Sequence, residues 1–205
     1  TPILKDPARN TEANLVLMES TYGNRLHRDR SATVEEMSTI IRDANHRRGN
    51  ILIPAFAVGR TQEILYLLAT HYDEWNLSRW QVFLDSPMAI RTSEVYWNNP
   101  ELHDEGGIPP LPNLILSESA EDSQRINLIR GGAIIIAGSG MCEGGRIVHH
   151  LKHNLWRQEC DVLIVGYQAS GVVREVGEGV DAFSPGQRVV AMMMHGSHAE
   201  LASVT

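Results

Sequence analysis

Short, unbroken apolar runs alternate with amphipathic stretches along most of this chain. The runs are NLVLME (14–19), NILIPAFA (50–57), WQVFLDS (80–86), NLILSES (113–119), GAIIIAGSG (132–140) and DVLIVGY (161–167). Because they are continuous rather than alternating, they predict strands buried on both faces, as in a parallel sheet. Between them apolar positions recur at helical spacing. Val34, Met37, Ile40 and Ile41 mark a helix over Ser31–His46, and Ile64, Leu65 and Leu68 mark one over Arg60–Tyr72. Further helices are predicted over Pro87–Trp97, Ala120–Ile129 and Gly144–Trp156. Strands alternating with helices call for βαβ crossovers. The predicted fold is therefore a doubly wound, mostly parallel α/β sheet with helices on both faces, over residues 1–170.

After Ser170 the pattern changes. Residues 171–176 and 187–194 read as strands separated by turns at Gly177–Gly179 and Pro185–Gly186, which predicts a small antiparallel β appendage over 171–205. Val172 sits beside Val173, and VVAMMM is apolar throughout. Such strands need cover from the α/β domain or from another molecule.

Composition narrows the class. With 205 residues, 42% hydrophobic and 21% charged, the chain fits one globular domain with a small appendage. It contains no apolar run of about 18 residues, and its first stretch, TPILKDPARNTEANL, has no signal-peptide core. The expectation is a cytoplasmic protein away from membranes. Cys142 and Cys160 are the only cysteines, too few for a disulfide framework. A net charge of −7 argues against a broadly basic nucleic-acid surface, although a local cluster of Arg and backbone amides can still hold phosphates.

In a doubly wound sheet, ligands bind where strands end and helices begin. Four such loops carry chemistry: ESTYGNR (19–25), PAFAVGRTQE (54–63), DSPMAIR (85–91) and AGSGMCEGGR (137–146), all expected along one edge. The glycines of the last loop let amides approach an anion, with Arg146 adding a bidentate contact. They equally suit a sharp strand-to-helix turn. The loop matches neither a Walker nor a Rossmann fingerprint.

Five segments, LMESTYGNRLH, NILIPAFAVGRTQEIL, FLDSPMA, GGAIIIAGSGMCEGGRIVHHLKHNL and DVLIVGYQASG, taken in order across about residues 8 to 171, resemble the β-CASP family of metallo-β-lactamase-fold RNA-processing nucleases. That resemblance implies a β-CASP cassette that caps a zinc site on a lactamase domain, with RNA entering between the two. Residue by residue, it implies that Glu19 supports the parent's active site by orienting a histidine. It also implies that Arg60, Asp85, Ser86, Ser139, Gly140 and Arg146 face the RNA backbone. For Asp85 and Ser86 helix capping is the structural alternative.

The family's His-x-His-x-Asp-His zinc motif does not occur in this sequence. His149 and His153 share a helix face at i, i+4, but a catalytic centre needs a third ligand; no metal site is expected here, zinc belonging to the parent family. Residues 171–189 in turn match Gly-Val-Val-x-x-Val-Gly-x-Gly-Val-x-x-Phe-x-x-Gly-x-Arg-Val, a pattern that resembles the GroES-like domain of medium-chain alcohol and quinone dehydrogenases. The expectation is a chimera: a truncated β-CASP domain joined near residue 170 to a barrel fragment. It is expected to be inactive as a hydrolase, to bind RNA weakly, and to form a homo-oligomer through surface uncovered by the missing partner. The alternative expectation is a self-associating scaffold without a specific ligand.

Overall fold

A computed structural model describes residues 3–6, 12, 14–18, 29–104, 109–166, 170–172 and 188–190. From Arg30 onward the chain runs α1 (Arg30–Arg47), β1 (Ile51–Pro54), α2 (Arg60–Thr70), β2 (Gln81–Asp85), α3 (Pro87–Trp97), β3 (Leu114–Leu116), α4 (Ala120–Ile126), β4 (Ala133–Ala137), α5 (Arg146–Asn154) and β5 (Asp161–Val162). Strands β1 to β5 form one sheet in the order β3-β2-β4-β1-β5, and every pairing in it is parallel. This is the doubly wound α/β arrangement that the apolar runs call for.

Alternation along the strands assigns the two faces. Ile51 and Ile53 of β1, Val82 and Leu84 of β2, and Ile134 and Ile136 of β4 pack with Met37, Ile41, Ile64, Leu65, Leu68 and Ile90 from α1, α2 and α3. On the other face, Leu52 and Ala137 meet Ile147 and Leu151 of α5. Phe83, Ala133 and Ile135 meet Ile126 of α4. The three inner strands are therefore buried on both sides, and Ile51, Leu52, Ile134, Ile135 and Ile136 are each 0% exposed. Fully burying one such side chain stabilises the fold by roughly 1.5–3 kcal/mol.

The edges depart from this pattern. Strand β3 is three residues long, with Ile115 and Leu116 exposed, and β5 is only half-buried. An edge strand has one neighbour and less helix over it, so a continuous apolar run does not guarantee two covered faces there. The run at 14–19 differs more. Residues 15–18 form no regular element, and Leu15, Val16, Leu17 and Met18 are 72–89% exposed. No sixth strand of the sheet is built from them, because apolar content records a need for cover and not which surface supplies it. In the appendage, β6 (Ser170–Val172) and β7 (Arg188–Val190) pair antiparallel, Gly171 opposite Val189. These pieces are shorter than the strands expected at 171–176 and 187–194, whose other residues lie outside the described ones.

Register decides where chemistry converges. Pro54 of β1 and Asp85 of β2 both stand opposite Ala137 of β4, so three adjacent parallel strands end at one level. The loops into α2, α3 and α5 leave the sheet side by side there.

Candidate nucleic-acid interface

Asp85, the last residue of β2, is 0% exposed. Its carboxylate accepts hydrogen bonds from Ser123 Oγ of α4, from Nη1 of Arg146 and from Nε2 of His150, each at 2.6 Å. Arg146 opens α5, and its guanidinium also donates to the Ser117 carbonyl at 3.0 Å and the Glu118 carbonyl at 2.6 Å, just beyond β3. His150, one turn along α5 and 0% exposed, places Nδ1 2.8 Å from Asn127 Oδ1 at the end of α4. Burial pushes the Asp85 carboxyl up, but the hydrogen bonds from His150, Ser123 and Arg146 outweigh it and hold the group at about 2. The Ser117 hydroxyl lies near enough to lower it further, although it completes no hydrogen bond of ordinary geometry. One buried anion thus ties β2, the end of β3, α4 and α5 together. Removing one partner of such a set leaves a buried charge uncompensated and costs about 3–5 kcal/mol.

The glycine-rich loop between β4 and α5 is organised by its own backbone. Ser139 N donates to Gly144 O at 3.0 Å, Cys142 N to Ser139 O at 3.1 Å, and Glu143 N to Ser139 Oγ at 3.2 Å. Ile147 N returns to Gly138 O at 2.9 Å. These amides serve the strand-to-helix turn rather than an anion. Two glycines are required by space. A Cβ on Gly145, whose φ is +73°, would stand 2.4 Å from Gly138 O, and one on Gly140 would stand 2.7 Å from the Phe56 ring.

The residues singled out in the sequence divide accordingly. Asp85 and Arg146 meet each other inside the protein: the carboxylate does not reach solvent, and the Arg146 side chain is only 23% exposed. An RNA-facing Asp85 is not what this geometry presents, because the carboxylate is buried and its three hydrogen bonds turn inward. Ser86 caps α3, accepting from Ala89 N at 3.3 Å. Ser139 and Gly140 form the loop beside it. Arg60 opens α2, 41% of its side chain exposed, and pairs with Glu63 at 2.6 Å. Glu19 lies outside the described residues.

Sequence reasoning missed His150, Ser123 and Asn127. A signal for the first was present: Ile147, His150, Leu151 and Asn154 follow i, i+3, i+4, i+7, the buried stripe of α5. The residues do not fit zinc. His150 is held by Asp85 and Asn127, His149 and His153 are exposed, and among the described residues no group of three or more His, Cys, Asp or Glu is placed to hold a metal.

Comparison with known proteins gives consistent matches. A family model described as Beta-Casp domain matches residues 61–173. Ribonuclease TTHA0252 of Thermus thermophilus is 40% identical over 197 residues, covering 92% of this chain and 44% of that protein. Probable RNase MJ4 of Methanocaldococcus jannaschii is 32% identical over 161 residues, 77% of this chain and 36% of that protein. Transcription termination factor FttA of a Lokiarchaeum species is 32% identical over 171 residues, 77% of this chain and 26% of that protein. The chain spans less than half the length of each of these relatives. A 92% share of 205 residues is more than positions 1–171 can supply, so the Thermus match runs past the point where the dehydrogenase-like pattern begins.

Proposed function

Because the chain belongs to the Beta-Casp family, whose similar proteins here include a ribonuclease and an RNase, we propose that it forms the RNA-facing wall of an RNA-processing nuclease. The observation that carries this reading is the shared end point of β1, β2 and β4 at Pro54, Asp85 and Ala137. It sets the N-termini of α2, α3 and α5 along one edge, where positive helix ends favour phosphate oxygens. The buried Asp85 set fixes that edge from beneath. Arg60 and the half-buried Ser139 are the parts offered to the RNA backbone, Gly140 being buried against Phe56, and Arg146 acts from behind the loop through Asp85 and the Ser117 and Glu118 carbonyls.

In the same reading these 205 residues do not hydrolyse RNA by themselves. Zinc hydrolysis requires a metal to generate hydroxide near neutral pH, and the sequence carries no His-x-His-x-Asp-His set to bind one. The test is a titration of labelled single-stranded RNA at two salt concentrations, with a cleavage assay run with zinc and with chelator. Binding that weakens as salt rises, without cleavage, is the expected result. Zinc-dependent cleavage abolished by chelation overturns the inactive reading, and absence of binding at low salt overturns the RNA-facing one.

Self-association is a second reading with its own observation, the exposed Leu15–Met18 run. A contiguous apolar segment of this kind seeks a partner surface, and a homo-oligomer supplies one. Sedimentation showing a monomer would remove it. The join near residue 170 also stays a proposal, supported by the dehydrogenase-like pattern at 171–189 and opposed by the reach of the Thermus match. Reading the source locus across these codons decides between a fusion and one continuous family member.

A further inference from the structure

Resting on the RNA-facing reading above, we propose that Phe56 is a base-stacking residue for single-stranded RNA. Phe56 lies in the loop after β1, at the level where the three strands end, and remains 43% exposed. Its backbone is fixed: the Phe56 carbonyl accepts from Thr61 N at 3.3 Å and from Thr61 Oγ at 2.7 Å. Its ring lies close against main chain on one edge. A Cβ on Gly140 would lie 2.7 Å from Cδ2 and 2.9 Å from Cε2, and one on Gly166 would lie 3.8–4.0 Å from the same ring atoms. Main chain bounds one edge of the ring, where any side chain at position 140 would displace it, and the residue is otherwise part-exposed.

That combination has a chemical reading. An aromatic ring seated against main chain yet left part-exposed forgoes some hydrophobic burial at its own position. A part-exposed π-face beside backbone-binding groups is what an unstacked nucleobase needs, because every base can stack on it and sequence need not be read. Arg60, part-exposed four residues along, offers its cation to the phosphate while the ring takes the base. The phosphate contact and the stack are thus separable parts of one edge.

The experiment uses the full chain and two labelled ligands, oligoadenylate of about 12 nucleotides, within the span of such surfaces, and an abasic strand of equal length. Phe56→Ala and Phe56→Leu weaken oligoadenylate binding about 5- to 100-fold, as loss of one stacked base predicts. They leave abasic binding and its salt dependence unchanged, and Phe56→Trp restores oligoadenylate affinity. Equal loss on both ligands makes Phe56 a scaffold residue and overturns the proposal. Unchanged RNA binding with altered sedimentation assigns the ring to protein association and overturns it too. If the wild-type chain binds neither ligand, the RNA-facing reading itself fails, which is distinguishable from failure of stacking alone.

Discussion

Replacing Asp85 with Asn keeps the shape of the side chain and removes the charge that Arg146 and His150 both address. The Asp85 carboxyl is held at about 2 against an ordinary value of 3.8. At about 1.4 kcal/mol for each tenfold change in proton affinity, the charged form stabilises the native state by about 2 kcal/mol. Leaving the Arg146 guanidinium and the fully buried His150 without their anion adds to this, toward the roughly 3–5 kcal/mol cost of breaking a buried pair. Asp85→Asn is therefore expected to lower unfolding free energy by about 2–5 kcal/mol at neutral pH, the charge term setting the lower bound and the broken pair the upper. Urea unfolding followed by fluorescence of the buried Trp75 and Trp80 measures it. The pH dependence gives a second reading. The folded value lies below the unfolded one, so this stabilisation is present above about pH 4 and is lost as pH falls toward 2. The wild-type chain should lose more stability across that window than Asp85→Asn does. A difference below about 1 kcal/mol at neutral pH, or parallel acid profiles for the two proteins, would refute the claim that Asp85 anchors this edge through charge.

Two further outcomes follow from the same edge. Gly145→Ala forces a Cβ to 2.4 Å from Gly138 O at a φ of +73°, so it should destabilise by roughly 1–3 kcal/mol and melt several degrees lower in a thermal scan. Ser86→Ala removes the α3 cap, an oxygen that receives Ala89 N, and should cost about 1 kcal/mol by chemical denaturation, while Ser86→Asn retains most of that stability.

Different parts of this architecture were legible to different degrees. The helix over Pro87–Trp97 is found with its predicted bounds, because Ser86 and Pro87 mark its start in the sequence itself. The inner strands were legible because burial on both faces leaves continuous Ile, Leu and Val. Edge strands and the exposed run near Leu15 were not, since one-dimensional hydrophobicity does not say how many neighbours a strand has. At the candidate interface, the grouping of three loops on one edge followed from parallel topology alone. The partnership of Asp85 with Arg146 and His150 did not: it joins positions 61 and 65 residues apart, and no local period records a contact of that range. Phe56 was hidden for the opposite reason, sitting inside an apolar run that reads as buried strand.

The order of the strands also constrains how the chain can reach this state. Strand β4 is inserted between β1 and β2, yet it enters from residue 133, after both of its neighbours have been made. Emerging from a ribosome, the chain up to Gly132 carries β1 and β2 with their facing backbone groups unpaired. The slot must stay open until AIIIA arrives to close it. Parallel pairings over such separations form slowly, because loop-closure entropy is lost before the contacts are gained. Until then two apolar strand edges are available to other nascent chains. Assembly of this domain is thus a race between its own late central strand and its neighbours, and the Asp85 latch, whose partners on α5 are made later still, can engage only after that race is won.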